Sequence, residues 1–331
     1  MKVLVAGGAG FIGSAYVRRR LDDDPRGSVR VLDKLTYAGR RENLDGLERC
    51  ELVVGDIADR DTVREAIEGC DAVVNFAAET HVDRSIESPG EFIQTDIVGT
   101  VVLLEAARDA GMRHVQVSTD EVYGSIPEGS FTEGSPLDPS SPYSAAKAGG
   151  DLMVAAFQRT YGSDALIARG SNNFGPRQYP EKLVPLCILN ALAGDPLPVY
   201  GDGLQVRNWL WADDFARAID LVLARGEAGQ VYNVGGPDEL PNIDVVRAIL
   251  ELTGRDESLI TYIEDRPGHD RRYSLSSERL RADLGWAPEV RFHDGLERTV
   301  TWYRNNEGWW APIRSGEYRA YYEQRYGRAL G

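Results

Sequence analysis

The sequence predicts an α/β fold, a doubly wound parallel sheet followed by a smaller C-terminal lobe. Short apolar runs rich in Val and Ile recur through the first half, with longer helix-like stretches between them. That alternation is the signature of a parallel sheet covered on both faces. A glycine-rich turn follows the first run, and after Gly170 the regular rhythm gives way to turn-rich sequence.

Taken in order, strands are expected at 3–6, 29–32, 52–54, 72–76, 114–117 and 165–168, where β-branched residues concentrate. Helices are expected at 11–22, 61–68, 91–110 and 143–161, several with charges spaced at three or four on one face, as crossover helices require. Beyond Gly170 the stretches 172–176, 194–196 and 235–237 read as turns. A helix at 213–223 and a strand at 231–234 are placed to return to the first sheet. The expected division is therefore 1–170 for a dinucleotide-binding domain, with return segments near 205–235, and 171–331 for an interleaved substrate-binding lobe. The aromatic tail, with Trp302, Tyr303, Trp309, Trp310 and the stretch 318–326, reads as a packed closing segment.

Bulk properties narrow the function. The 331 residues are enough for a large core, and 37 basic against 52 acidic residues give a net charge of −15. That balance argues against nucleic acid or an anionic membrane as partner. Three scattered cysteines and four scattered histidines support neither a disulfide framework nor a metal site. The first residues enter a strand-like run without a signal-peptide core, and no apolar stretch approaches membrane-spanning length, so a cytoplasmic location is expected.

Two local patterns carry chemistry. Gly7, Gly10 and Gly13, set between a strand and a helix, form the Rossmann-type turn whose backbone N–H groups approach a pyrophosphate. Asp33 ends the second strand, where a carboxylate accepts hydrogen bonds from ribose hydroxyls and repels a 2′-phosphate, favouring NAD over NADP. Lys34 beside it pulls the other way, and Asp56 reads equally as a turn residue or an adenine contact. Tyr143 and Lys147 fall at i and i+4 on a helix opening after Pro142, so the ammonium is expected to lower the phenol's pKa and make it a base. Thr119-Asp120-Glu121 stands at the end of another strand. Alone it reads as a solvated loop. Beside a redox pair, one neutral carboxyl and one carboxylate suit elimination of water coupled to an internal oxidation.

With these motifs the chain resembles the extended short-chain dehydrogenase/reductase superfamily, in its nucleotide-sugar 4,6-dehydratase branch. The resemblance covers nearly the whole chain, including Ala77 to Ser85, Asn172 to Pro176, Pro180 to Leu183 and Arg266 to Asp270. It implies NAD as cofactor, dTDP-glucose as substrate and a homodimer joined by a four-helix interface. By that similarity Tyr143 is the base for C4 oxidation with Lys147 its partner, Glu121 takes the C5 proton, Asp120 protonates the leaving C6 hydroxyl, and Thr119 contacts a substrate hydroxyl. Gly7, Gly10, Phe11, Ile12, Gly13, Asp33, Lys34, Leu35, Thr36, Asp56, Ile57, Phe76, Ala77, Ala78, Thr80, Thr95 and Asn173 would line the cofactor site with Tyr143 and Lys147. Thr80, Thr119, Asn172, Lys182, Leu183, Pro198, Tyr200, Arg207, Asn242 and His269 would bind the nucleotide sugar. Asp96, Gly170, Phe174 and Asn208 depart from residues more usual in the family. The rival readings are an epimerase or decarboxylase of the same superfamily and, from another class, a protein that senses NAD without turnover.

Overall fold

The computed structural model describes residues 1–315 and Tyr322; of the expected closing segment, the stretch 318–326 lies outside the described residues apart from Tyr322. Six strands, β1 Lys2–Ala6, β2 Ser28–Asp33, β3 Cys50–Val54, β4 Ala72–Asn75, β5 Arg113–Thr119 and β6 Ala165–Gly170, form one parallel sheet. After three short strands, β7 Asn172–Phe174, β8 Leu197–Tyr200 and β9 Val206–Trp211, the chain returns to that sheet as β10 Val231–Val234. The spatial order is β3-β2-β1-β4-β5-β6-β10, so strand order reverses between β1 and β4. A reversal of this kind opens a crevice at the carboxyl ends of the strands.

Burial explains the apolar runs. Val3 and Val5 of β1 face a core layer containing Tyr16, Val17 and Phe215, whereas Leu4 and Ala6 face a separate layer containing Val63, Leu103 and Val102. Both faces of the strand are therefore dry. Helices α1 Phe11–Asp23, α2 Arg60–Ile67, α3 Val82–Glu87, α4 Pro89–Phe92, α5 Thr100–Asp109 and α6 Pro142–Tyr161 lie in the connections between the strands of the sheet, α3 to α5 all between β4 and β5. Ser141 opens α6 with a capping box to Ser144, and Gly162 closes it in the left-handed region at φ 66°.

The helix expected at 91–110 is not continuous. Residues Ile93–Gly99 between α4 and α5 wind as a π-helix. The wider turn presses on α6 where that helix has no side chains to resist: a Cβ at Gly149 would lie 2.6 Å from Ile97 Cδ1, and one at Gly150 2.6 Å from the Asp96 carbonyl oxygen. The deviation thus arises from packing between distant segments.

The second lobe pairs β9 with β7 in parallel and with β11 Asp238–Pro241 antiparallel; β12 Ile260–Ile263 pairs with β8. Helices α7 Leu183–Ala193, α8 Ala212–Arg225, α9 Asn242–Thr253, α10 Glu278–Leu284, α11 Phe292–Asn305 and α12 Glu307–Ser315 complete the described chain. Helix α8 packs on α1 in the first lobe's core, while α7, α9 and α11 enclose Phe174, Trp209 and Trp211. Among the described residues no helix is long and apolar enough to cross a membrane, and no acid, His or Cys cluster is arranged to hold a metal.

A buried ion pair fastens α6 to β6: Arg169 Nε donates to Asp151 Oδ2 at 2.8 Å, and another guanidinium nitrogen donates to the Tyr123 hydroxyl at 2.7 Å. Removing one partner would leave an unbalanced buried charge. Asp151→Ala should cost about 3–5 kcal/mol in a urea unfolding midpoint analysis.

Candidate active site

The glycine turn sits at the crevice. Gly7 takes φ 73°, where a Cβ would lie 2.4 Å from the Ala77 nitrogen, and a Cβ at Gly13 would lie 2.2 Å from the Gly7 carbonyl oxygen. Only glycine permits both approaches. Gly10 caps α1 without a side-chain hydrogen bond, so the free N–H groups of the first turn are left for an anionic ligand. Asn43, fully buried, donates to the Ala9 carbonyl at 2.8 Å and accepts from the Trp309 indole N–H at 2.9 Å.

Asp33 accepts from the N–H groups of Ala9 at 2.9 Å and Leu35 at 2.8 Å, while burial still lifts its pKa above the ordinary range. Lys34 is turned onto Asp56, 2.8 Å away, which removes the ambiguity its neighbouring charge created. One cavity is lined by every expected cofactor residue except Leu35, whose backbone instead holds Asp33.

The reacting groups share that cavity. Thr119 ends β5 and caps the short turn Asp120–Tyr123; its hydroxyl accepts from the Glu121 N–H and donates to Asp120 Oδ1, both at 3.2 Å. Burial, reinforced by the Glu121 charge, pushes Asp120 up to about 8. Burial also raises Glu121, against the pull of Arg266, Arg207 and Lys182. Asp120 is thus a neutral acid at pH 7, beside a carboxyl whose charged form three cations favour.

Lys147 Nζ donates to the Val117 carbonyl at 2.9 Å and lies 3.7 Å from Asp96 Oδ1. The expectation that the lysine lowers the Tyr143 pKa requires correction for the protein alone. Burial, then the charges of Glu121 and Asp96, hold that phenol well above its usual value.

Of the expected sugar-binding residues, Thr80, Thr119, Asn172 and Lys182 line the same cavity, with Lys182 Nζ donating to the Thr80 carbonyl at 2.6 Å. Leu183, Pro198, Tyr200, Arg207, Asn242 and His269 lie outside its lining, on the second lobe and the segment after β12. Arg207 nevertheless acts electrostatically on both Asp120 and Glu121. The Tyr200 hydroxyl donates to Asp83 Oδ2 at 2.9 Å, and its ring meets His269 edge-on, 6.1 Å between centroids. Burial and the nearby Arg266 charge push His269 down to about 4, so the ring is neutral.

Sequence reasoning missed Glu79, Gln178, Tyr179 and Glu181 in the lining, and Asp83, which links Tyr200 to Arg266 across the lobes. Glu181 and Asp83 fall inside motifs singled out from the sequence, but nothing local distinguishes a lining acid from a surface one. Glu181 is almost fully buried beside Lys182.

The arrangement invites comparison with known proteins. The GDP-mannose 4,6 dehydratase family model matches residues 4–299. A dTDP-glucose 4,6-dehydratase of Streptomyces niveus is 51% identical over 323 residues, covering 95% of this chain and 96% of the relative. The chain belongs to the dTDP-glucose 4,6-dehydratase family. Another dehydratase, from Escherichia coli strain K12, is 46% identical over 98% of this chain and 99% of its own. Among solved structures, DesIV, the family's dTDP-glucose 4,6-dehydratase from Streptomyces venezuelae, was crystallised with NAD and TYD bound. It is 52% identical with a TM-score of 0.92, covering 95% of this chain and all of that one. The UDP-glucose 4-epimerase of Thermus thermophilus, in complex with NAD, shares the fold at 34% identity and a TM-score of 0.86, covering 92% and 100%.

With Asp120 held at about 8, a step that needs its proton should slow as pH rises through that value. The slope of log kcat/KM against pH, measured on the NAD-loaded enzyme, is expected to fall by one near pH 8; a profile without that break would remove Asp120 as the donor.

Proposed function

We infer that this chain converts dTDP-glucose to dTDP-4-keto-6-deoxyglucose as an NAD-dependent hydro-lyase, regenerating its cofactor within each turnover. The observation that carries the reading is the neutral Asp120 beside Glu121, in one cavity with Tyr143 and Lys147. The glycine turn, the open first turn of α1 and buried Asp33 fit the pyrophosphate and adenosine ribose of NAD. When bound, NAD supplies a reversible hydride acceptor.

Tyr143, as the phenolate that the Lys147 ammonium stabilises, takes the C4 hydroxyl proton as that carbon is oxidised and becomes the neutral phenol. The resulting ketone acidifies the adjacent C5 proton, which Glu121 removes, while Asp120 protonates the C6 hydroxyl so that it leaves as water. The hydride removed from C4 would then be delivered to C6, Glu121 returns its proton to C5, and the proton gained by Tyr143 replaces the one Asp120 gave up, so that one water is the net loss. Two carboxyls therefore handle two protons that epimerisation at C4 does not move, which favours dehydration over the epimerase reading.

The remaining assignments follow from this reading. Residues 1–170 with returns near 205–235 make the NAD-binding unit, and 171–331 mainly the nucleotide-sugar lobe. Thr80, Asn172, Lys182, Leu183, Pro198, Tyr200, Arg207, Asn242 and His269 hold the nucleotide sugar, Arg207 suiting a diphosphate and Tyr200 a pyrimidine ring. Exposed Ile93 and Val98 on the segment entering α5, with Leu152 and Tyr161 on α6, support a homodimer through a four-helix interface. A cytoplasmic location accords with both ligands.

Purified protein with NAD should release a product about 18 mass units lighter than dTDP-glucose, the loss of water that acid–base elimination requires. A mass spectrum showing an unchanged mass would sink the assignment. Glu121→Gln should slow turnover by about 10²–10⁴-fold while cofactor retention stays near wild type. Leu152→Glu, which places a charge among these exposed apolar side chains, should yield monomers in light scattering.

A further inference from the structure

We propose that Asp96 is a positioning residue for the Tyr143–Lys147 pair: its buried carboxylate holds the Lys147 ammonium and divides that charge with Tyr143, so governing how readily the phenol gives up its proton. The proposal rests on the reading of Tyr143 as the C4 base.

Backbone geometry puts the carboxylate there. Asp96 lies in the π-helical turn Ile93–Gly99, whose extra width carries it towards α6, and Gly150 lets the two backbones meet. Its carbonyl is held by the Thr100 hydroxyl at 2.8 Å. The side chain has no exposed surface, and the polar groups nearest its oxygens, the Lys147 ammonium and the Glu79 backbone N–H, are not close hydrogen-bond partners. A carboxylate buried without such partners carries a large desolvation penalty, and structures tolerate it where it serves the site. Lys147 Nζ, 3.7 Å from Oδ1, is its ion-pair partner.

The charged groups facing Asp96 are few. Helix α6 presents Lys147 and Tyr143, and the segment after β4 presents Glu79, whose own environment includes Glu91 of α4. Glu121 and Asp120, at the end of β5, act on Tyr143 from the other side. Burial lifts Asp96 to about 7 even against the pull of Lys147.

The sign follows directly. Below about pH 7 Asp96 is neutral, and the ammonium is fully available to stabilise a Tyr143 phenolate. Above it, the new anion neutralises part of that field and repels the phenolate. Asp96 therefore restrains the base as pH rises, and an uncharged side chain at this position should release the restraint.

Asp96→Asn preserves shape, and Asp96→Ala guards against an effect peculiar to the amide. In both, the ascending limb of kcat/KM is expected to move to lower pH by about one unit, as follows from deleting a like charge that acts on the phenol. The ultraviolet absorbance of tyrosinate, taken as a difference from Tyr143→Phe, should show the phenol ionising at lower pH in the same two variants. Profiles that superimpose on wild type after scaling, with an unmoved phenol titration, would overturn the proposal by reducing Asp96 to a structural role. Tyr143→Phe separates the two ideas. An active Tyr143→Phe enzyme defeats the base assignment itself, whereas an inactive one with unmoved Asp96 profiles defeats only the restraint.

Discussion

The bond from Lys147 Nζ to the Val117 carbonyl ties α6, which carries the tyrosine, to β5, whose end carries the two acids. It fixes the register of Tyr143 against the Asp120–Glu121 turn at the level of the reacting groups. The Arg169–Asp151 pair secures the same helix to the neighbouring strand. Acid, base and redox partner are thereby held on rigid elements, which suits chemistry in which several protons move around one sugar ring.

A second constraint is dryness. Asp120, Asp96 and Tyr143 are all displaced from their ordinary ionisation in the direction burial dictates, and nearby charges then separate them. Two chemically identical carboxylates, Asp96 and Asp120, differ chiefly in whom they face: one an ammonium, the other a hydroxyl and an anion. Sequence gives both the same letter.

The sheet was legible because its signal is local. Strand β10 was read at its observed bounds from four residues, and the glycine turn from its spacing. Strand β5 runs through Ser118 to Thr119, past the apolar run that ends at 117, since its last two residues are polar yet buried and paired with β6. The broken helix before α5 was not legible, since the surface it packs against, Gly149 and Gly150 of α6, lies far downstream in the chain. The direction of the Tyr143 shift was missed for a similar reason: the pair at i and i+4 announces the lysine, but not Asp96 or Glu121, which reach the phenol only through the fold. The catalytic candidates stood out as motifs. The lining acids Glu79 and Glu181 lay within motifs without being marked as site residues, because burial is a property of the packed chain.

Asn43 joins the two ends of the described chain through one amide, gripping the glycine turn on one side and the indole of Trp309 in α12 on the other. The glycine turn at the cofactor crevice is thus braced from its outer face by a helix of the second lobe, so that a change in how α12 packs is transmitted to the loop through a single side chain.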